Sequence, residues 1–222
     1  MDTLTIRLDR ISHLIVAGWT GRDRAKVQHH IEELALLGVP APSTTPLFYR
    51  ASPQLLTQDH EIQVLGGRTS GEVEPVLWFD GNTLFLGVGS DHTDRDLETY
   101  GVAQSKAICA KPISSHFWNW NDVKDHSDSL QLQSWIRDPQ HPEETLYQSG
   151  SLEQLLNPSM LLEDPSVDCY LQAAESFVLF CGTLPAIGGI RPADSMRLEL
   201  IDPVNNQAIH HHYSTTVVDI VA

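Results

Sequence analysis

Alternating apolar and polar positions recur along most of the chain and predict a fold built mainly from β-strands. Weak alternation over residues 3–17 predicts one or two short strands near the N-terminus. A hairpin is expected where the alternating stretches 71–79 and 83–89 are joined by the turn sequence Asp80-Gly81-Asn82. The remaining strands are expected at residues 46–50, 61–65, 130–136, 176–182, 196–201 and 210–221.

Helical periodicity is limited to short stretches between these strands. Apolar residues at helical spacing predict a helix over residues 24–37, which Gly38 is placed to end. A second helix is expected within residues 93–106, and a short one at 151–156 with Ser151 as its cap. Helices are therefore a minor part of the predicted fold.

Length and composition restrict the class of protein. The chain has 222 residues, of which 41% are hydrophobic and 19% charged, so it has enough apolar surface for a sizeable core and is not globally disordered. We predict a single strand-dominated α+β domain over residues 1–222. Within it, residues 1–45 would form an N-terminal strand and helix segment, and residues 46–222 the strand core.

Charge and cysteine content exclude several functions. The formal net charge of −15 argues against binding to nucleic acid or to an anionic membrane surface, because both attract clustered Lys and Arg. The sequence predicts no transmembrane helix and no signal peptide. Three cysteines without paired spacing indicate the reducing cytoplasm as the location. An anionic small molecule stays compatible, because a metal ion and a few cationic side chains can reverse the local field in a cleft.

Two glutamates two residues apart, Glu72 and Glu74, are the first candidates for chemistry. Side chains at such positions of a strand point to the same face. Two carboxylates on one face repel each other unless a cation lies between them, and Mg²⁺ prefers oxygen ligands. The alternative is a solvent-facing strand edge with exposed glutamates.

An acidic segment follows the next apolar strand. Residues 91–96 contain three aspartates, one histidine and one arginine, directly after a strand end with two glycines that let the backbone approach a ligand. An acidic helix start explains Asp94 and Asp96, because the helix dipole favours negative charge there. It does not explain Asp91, which precedes them. Asp91 is therefore the third candidate carboxylate.

Two further patterns have both a catalytic and a structural interpretation. His30 and Glu33 share one face of the predicted helix, where they could act as a general base with its orienting carboxylate or form an ordinary surface pair. Gly182 and Thr183 follow an apolar strand. They could offer backbone N–H groups and a hydroxyl to a carboxylate or enolate, or simply form a tight turn.

The order of these pieces resembles the fumarylacetoacetate hydrolase superfamily, in a short branch labelled as a domain of unknown function. The resemblance runs from about residue 16 to residue 201. Glu72-Val73-Glu74 matches the Glu-x-Glu metal motif, and residues 91–96 match the end of Asn-Asp-x-x-x-Arg-Asp. The other similar segments are Val16 to Glu33, Pro46 to Arg50, Ser105-Lys106, Tyr147 to Gly150 and Cys181 to Gly188.

The resemblance implies a fumarylacetoacetate-hydrolase-like mixed β-roll with a few short helices, a Mg²⁺ or Mn²⁺ ion, and a small carboxylic-acid substrate chelated through adjacent oxygens. The implied activity is hydrolysis of a C–C bond in a 2-oxo or 1,3-dicarbonyl acid, while decarboxylation, hydration or isomerisation would use the same site. The implied roles are metal ligand for Glu72, Glu74 and Asp91, catalysis for His30, Glu33 and Lys106, and substrate binding for Arg95, Gln148, Gly182 and Thr183.

Departures from the family pattern leave alternatives open. Ser90 stands in place of the Asn before the metal aspartate, Arg50 in place of a lysine, and Glu98 in place of a glutamine. Lys111 competes with Lys106 for the lysine role. These departures keep open a non-enzymatic protein that binds a small acid, because fold alone does not fix function.

The N-terminal motif is also stretched. Trp19 stands where the family has a tyrosine, and the helix that begins after Arg22 delays His30 well beyond the family's spacing.

A homodimer is expected, because the superfamily commonly pairs its β-rolls and because Phe117, Trp118 and Trp120 crowd a polar stretch, 112–126, that is expected to be irregular. In a monomer, the same aromatics could instead cover the mouth of the site. The triplet at residues 210–212 is interpreted as a strand end rather than a site.

Overall fold

The fold is known from a computed structural model that describes residues 3–36 and 38–221, with the side chains of His30 and Leu34 outside the described part. The strands are β1 Thr3–Thr5, β2 His13–Gly18, β3 Leu47–Ala51, β4 Leu56–Thr57, β5 Glu61–Leu65, β6 Thr69–Ser70, β7 Val73–Phe79, β8 Leu84–Ser90, β9 Thr93–Asp94, β10 Lys111–Pro112, β11 His116–Asn119, β12 Gln131–Asp138, β13 His141–Ser151, β14 Phe177–Phe180, β15 Ser195–Asp202 and β16 Gln207–Val218. The α-helices are α1 Arg24–Leu36, α2 Arg95–Glu98, α3 Val102–Ile108, α4 Trp120–Val123, α5 Pro158–Leu162 and α6 Pro165–Gln172. Short 3₁₀ helices cover Leu8–Arg10, Pro53–Leu55, Lys124–Ser129 and Leu152–Gln154.

Most of these strands belong to two sheets. The larger has seven strands in the order β1-β11-β8-β7-β14-β2-β3, and the smaller has five in the order β13-β12-β15-β16-β5. Two short pairs, β10 with β4 and β6 with β9, lie outside them. The strand-dominated α+β class expected from the sequence is confirmed. Within the described residues, no helix is long and apolar enough to cross a membrane.

The expected hairpin forms the centre of the larger sheet. β7 and β8 pair antiparallel from Val73 opposite Ser90 to Phe79 opposite Leu84. The turn is closed by Asp80, whose Oδ1 accepts from the backbone N–H groups of the two turn residues after Gly81, each at 2.8 Å. The open end of this hairpin carries the acidic residues on both strands.

Alternate residues of β7 divide between two apolar layers. Leu77 packs with Leu198 of the smaller sheet, whereas Val76 packs in a second cluster with Phe180. Because side chains alternate along a strand, Glu74 lies on the same face as Val76. The carboxylate therefore lies at the end of the second layer, against the strand that contributes Phe180.

β14 joins the two ends of the chain beside the hairpin. It pairs antiparallel with β7 and parallel with β2, with Phe177 opposite both Phe79 and His13. The backbone N–H of Cys181 then donates to Pro75 O at 3.0 Å. This pairing places the residue after Cys181 next to Glu74.

Some expected elements differ in the structure. The helix expected over 93–106 is two helices, α2 and α3, separated at Gly101, whose backbone is extended. Residues 112–126 are largely ordered as β10, β11, α4 and a 3₁₀ helix, and β11 is held by pairing to both β1 and β8. β13 was not expected, because an edge strand with largely exposed residues shows little apolar alternation.

Candidate metal centre

Three carboxylates meet at the open end of the hairpin. Glu72 directly precedes β7, Glu74 lies in it, and Asp91 directly follows β8. The backbone N–H of Asp91 donates to Glu72 O at 3.0 Å, which holds the two strand ends together. One carboxylate oxygen from each residue lies within 4.8 Å of the other two. The arrangement expected from the period of two is therefore present.

The chemistry of this donor set fits a hard divalent cation. Glu74 and Asp91 are 2% and 0% exposed. Burial raises the pKa of Glu74 well above its usual range, and the charge of Asp91 raises it further. Asp91 Oδ1 is buried, and the Lys111 ammonium lies 3.0 Å from it. A cation with oxygen ligands would relieve the repulsion between the carboxylates.

Two lysines, rather than one, hold Asp91. Lys106 of α3 forms an ion pair with Asp91 Oδ2, and its Nζ lies 3.7 Å from Glu72 Oε2. Lys111 of β10 places its Nζ 3.0 Å from Asp91 Oδ1 and donates to the backbone oxygen of His92. Burial alone would raise the pKa of Asp91, but the two ammonium groups outweigh it and hold the pKa at about 2. The sequence left these lysines as alternatives, and the structure brings both to the centre.

Arg95 forms ion pairs with two carboxylates, those of Glu72 and Glu98. Its Nη2 lies 3.2 Å from Glu72 Oε1, and its Nη1 lies 3.0 Å from Glu98 Oε2. Its Nε donates to Ser70 Oγ at 2.7 Å. The guanidinium expected to bind substrate is thus turned onto the protein's own acidic groups. This ion pair orients Glu72, and the substrate contact expected of Arg95 stays a prediction.

Gly182 and Thr183 hydrogen-bond to the strand that carries Glu74. The Gly182 N–H donates to Glu74 Oε2 at 2.7 Å, and the Thr183 hydroxyl donates to Val73 O at 2.7 Å. Gly182 has φ +99°, and a Cβ there would overlap Thr20 Oγ1. These donors fix Glu74 and its strand, and the substrate contacts expected of both residues stay predictions.

The Gln148 side chain is similarly engaged. Its Nε2 donates to Thr183 Oγ1 at 2.8 Å and to Leu184 O at 2.6 Å. Its Oε1 accepts from Val73 N at 2.9 Å and from Ser134 Oγ at 3.1 Å. Both amide hydrogens are used inside the protein. Gln148 therefore connects the two sheets, and its expected substrate contact stays a prediction.

The expected pair of His30 and Glu33 lies on α1, most of whose described residues are exposed. Glu33 Oε1 lies 3.3 Å from His29 Nε2. The side chain of His30 falls outside the described residues, so its pairing with Glu33 stays a prediction.

Tyr49 is a polar residue near the centre that the sequence did not single out. The ammonium of Lys106 lies 5.9 Å from the centre of its ring, and its hydroxyl accepts from Trp19 Nε1 at 3.2 Å. Burial raises the pKa of Tyr49, so the phenol keeps its proton. Side chains alternate along β3, so Tyr49 and Arg50 point to opposite faces. Arg50, which the sequence pattern singled out, binds Ser166 O on the other face. The alternation could therefore have indicated Tyr49 as the residue nearer the centre.

The same fold occurs in solved enzymes of low sequence identity. The apo form of 2-keto-3-deoxy-D-arabinonate dehydratase has a TM-score of 0.63, at 17% identity over 99% of this chain and 76% of that chain. Its complex with magnesium and 2,5-dioxopentanoate has a TM-score of 0.61, at 14% identity over 95% and 75%. 4-Oxalocrotonate decarboxylase from Pseudomonas putida G7, complexed with calcium and acetate, has a TM-score of 0.56, at 10% identity over 92% and 76%. These similarities show the fumarylacetoacetate-hydrolase-like fold.

Sequence comparison gives a family. No curated protein matches the chain in sequence. The family described as "Protein of unknown function (DUF2848)" matches residues 17–213, which include every strand of the candidate centre. The chain belongs to this family.

Proposed function

We propose that the protein is a divalent-metal-dependent enzyme of the fumarylacetoacetate hydrolase superfamily that cleaves a C–C bond in a small oxo-carboxylic acid. The observation that carries this proposal is the convergence of Glu72, Glu74 and Asp91 within 4.8 Å at one end of a hairpin. The solved structures support the class of ligand, since one is named as binding magnesium with 2,5-dioxopentanoate and another calcium with acetate.

The charges around the centre favour an anionic substrate. Glu98 adds a fourth carboxylate to the triad, and three cationic side chains, Lys106, Lys111 and Arg95, are in ion-pair contact with this group. With all four carboxylates ionised, as when a metal is bound, the protein charges leave the centre with one negative charge in excess. A divalent cation would therefore make it positive by one, and a carboxylate would be attracted.

The protein groups divide the work of catalysis in this proposal. When bound, Mg²⁺ or Mn²⁺ supplies Lewis-acid polarisation of a carbonyl oxygen. Lys106 keeps its proton, because Asp91 and Glu72 raise its pKa despite burial, and it stabilises negative charge that develops on a substrate oxygen. The Tyr49 oxygen accepts from Trp19, so its own O–H can donate to the substrate.

For hydrolysis, we propose that His30, oriented by Glu33, takes a proton from water as the water oxygen attacks the carbonyl carbon. The C–C bond then breaks, and the departing carbon takes that proton. The products are two carboxylic acids or an acid and a ketone, depending on the substrate. The second candidate is a lyase reaction, either decarboxylation or dehydration, and the names of the solved relatives favour it.

Thermal unfolding tests the metal centre. With Mn²⁺ at about 100 times its Kd, binding adds about 2.7 kcal/mol to the free energy of unfolding, which raises Tm by about 5–10 °C in a chain of this length. Glu72→Gln and Glu74→Gln should lose most of this shift, whereas Glu61→Gln on the exposed edge strand β5 should keep it. A wild-type Tm unchanged by millimolar Mn²⁺ would contradict the proposal.

Turnover separates the two reactions. The Mn²⁺-loaded protein would be supplied with acylpyruvates, oxaloacetate and 2-keto-3-deoxy sugar acids, and the products identified by mass spectrometry. Uptake of water with C–C cleavage supports the hydrolase, whereas release of CO₂ or water supports the lyase. Metal-dependent binding of these acids with no turnover of any would favour the non-enzymatic binder.

A further inference from the structure

A small pocket opens beside the candidate centre, between the end of β2 and helix α1. Its volume is ≈ 200 Å³. The lining residues are Trp19, Gly21, Arg24, Val27, Gln28, Ile31, Thr45, Pro46 and Leu156. Most of them belong to the stretched N-terminal segment, in which this sequence departs from the superfamily pattern.

Two contacts place this pocket next to the metal centre. On one side, Trp19 of the pocket donates to the Tyr49 hydroxyl, and the Tyr49 ring lies beneath the Lys106 ammonium. On the other, Thr20 packs against Gly182, whose N–H holds Glu74. The pocket is therefore two side-chain contacts away from the carboxylates.

Arg24 gives the pocket its charge. The other lining residues are uncharged, and the apolar side chains of Val27, Ile31 and Pro46 form part of the wall. The nearby Arg22 is committed elsewhere, since its two terminal nitrogens bind Asp128 at 2.7 and 2.8 Å. Within the described residues, the Arg24 guanidinium has no ion-pair partner. A cation that faces a pocket in a protein of net charge −15 suits an anionic ligand group.

We infer that Arg24 is a specificity-determining residue that binds the distal carboxylate of the substrate, so that the preferred substrates are oxo-dicarboxylic acids. This inference rests on the proposed function, because the metal centre must hold the other end of the molecule. Guanidinium and carboxylate can form two parallel hydrogen bonds, and the apolar wall encloses the carbon chain between the two ends. The limited volume suits a short chain rather than a large group.

A matched pair of acids tests the inference. 2-Oxoglutarate and 2-oxopentanoate have the same five-carbon chain and differ in the distal carboxylate. Their dissociation constants would be measured by calorimetry on the Mn²⁺-loaded protein, for the wild type, Arg24→Gln and Lys26→Gln. Lys26 is an exposed cation on the same helix that lies outside the pocket lining, so its variant controls for the loss of one surface charge.

We expect the wild type to bind 2-oxoglutarate about 10-fold or more tightly than 2-oxopentanoate, the effect of one charge-assisted contact. Arg24→Gln should remove this preference by weakening only the diacid, and Lys26→Gln should preserve it. Equal binding of both acids by the wild type, or an unchanged preference in Arg24→Gln, would overturn the inference and leave the proposed function standing. Failure of both acids to show any metal-dependent binding would overturn the proposed function and this inference together.

Discussion

Replacement of Gly182 by alanine probes the contact between the segment that follows β14 and the metal centre. At φ +99°, an L-residue is strained, and the added Cβ would overlap Thr20 Oγ1 and lie 2.9 Å from Thr20 Cβ. The left-handed conformation costs about 1–2 kcal/mol, and forced overpacking costs about 1–3 kcal/mol. We expect Gly182→Ala to lower the free energy of unfolding by about 2–5 kcal/mol.

The same substitution should weaken metal binding. Relief of the overlap requires a shift of the Gly182 backbone, whose N–H donates to Glu74 Oε2 at 2.7 Å. Loss of this charge-assisted hydrogen bond frees a metal-binding carboxylate to move. The rise in Tm produced by Mn²⁺ should therefore be smaller in Gly182→Ala than in the wild type.

Gly189→Ala is the matched control. Gly189 has φ +87° but no atom within 4 Å of the Cβ position, so its variant incurs only the conformational part, about 1–2 kcal/mol. Both variants would be unfolded in urea with and without Mn²⁺. If they lose the same free energy and keep the same metal response, the packing of Thr20 against Gly182 does not support the centre as argued.

Three other predictions follow from the structure. Lys111→Met should lower the free energy of unfolding of the metal-free protein by about 3 kcal/mol, because removal of one partner from a buried ion pair leaves the negative charge of Asp91 without one of its two ammonium partners. In urea unfolding, this decrease should be smaller with Mn²⁺ than without it. Burial and the neighbouring charge of His60 lower the pKa of His211 from 6.5 to about 4, so the unfolded state binds the proton first as the pH falls. The part of the free energy of unfolding that depends on neutral His211 should thus be fully present above about pH 6.5, and about 3 kcal/mol of it should be lost as the pH drops to about 4. In urea unfolding at a series of pH values, His211→Gln should flatten this profile, and the exposed-site variant His210→Gln should not. Finally, light scattering after size exclusion should give twice the 24.7 kDa of the chain if the expected homodimer forms, and a mass of one chain would refute it.

The carboxylate centre was predictable because its geometry is local. Glu72 and Glu74 share a face through the period of a strand, and a turn signal brings Asp91 back to them on the neighbouring strand. The hydrogen-bond partners of Gln148 and Thr183 were not predictable in this way. They lie 14–110 positions away along the chain, and no local pattern encodes such contacts.

The strand β13 shows a second limit of sequence patterns. It lies at the edge of the smaller sheet, and its first four residues are all exposed, so no alternation marks it. The N-terminal pocket shows a third limit. Arg22 and Arg24 are alike in the sequence, and only their contacts distinguish the arginine that binds Asp128 from the one that faces the pocket.

The parallel pairing of β14 with β2 has a consequence for biosynthesis. Their partners are 164 positions apart, so β2 cannot be completed as an inner strand until most of the chain has been made. At a translation rate of about 5–20 residues per second, this delay is roughly 8–30 s. The Gly182 N–H that holds Glu74 arrives with the same late strand. A nascent chain should therefore acquire an ordered ion site only near the end of its synthesis, and ribosome-bound chains halted before residue 177 should lack it.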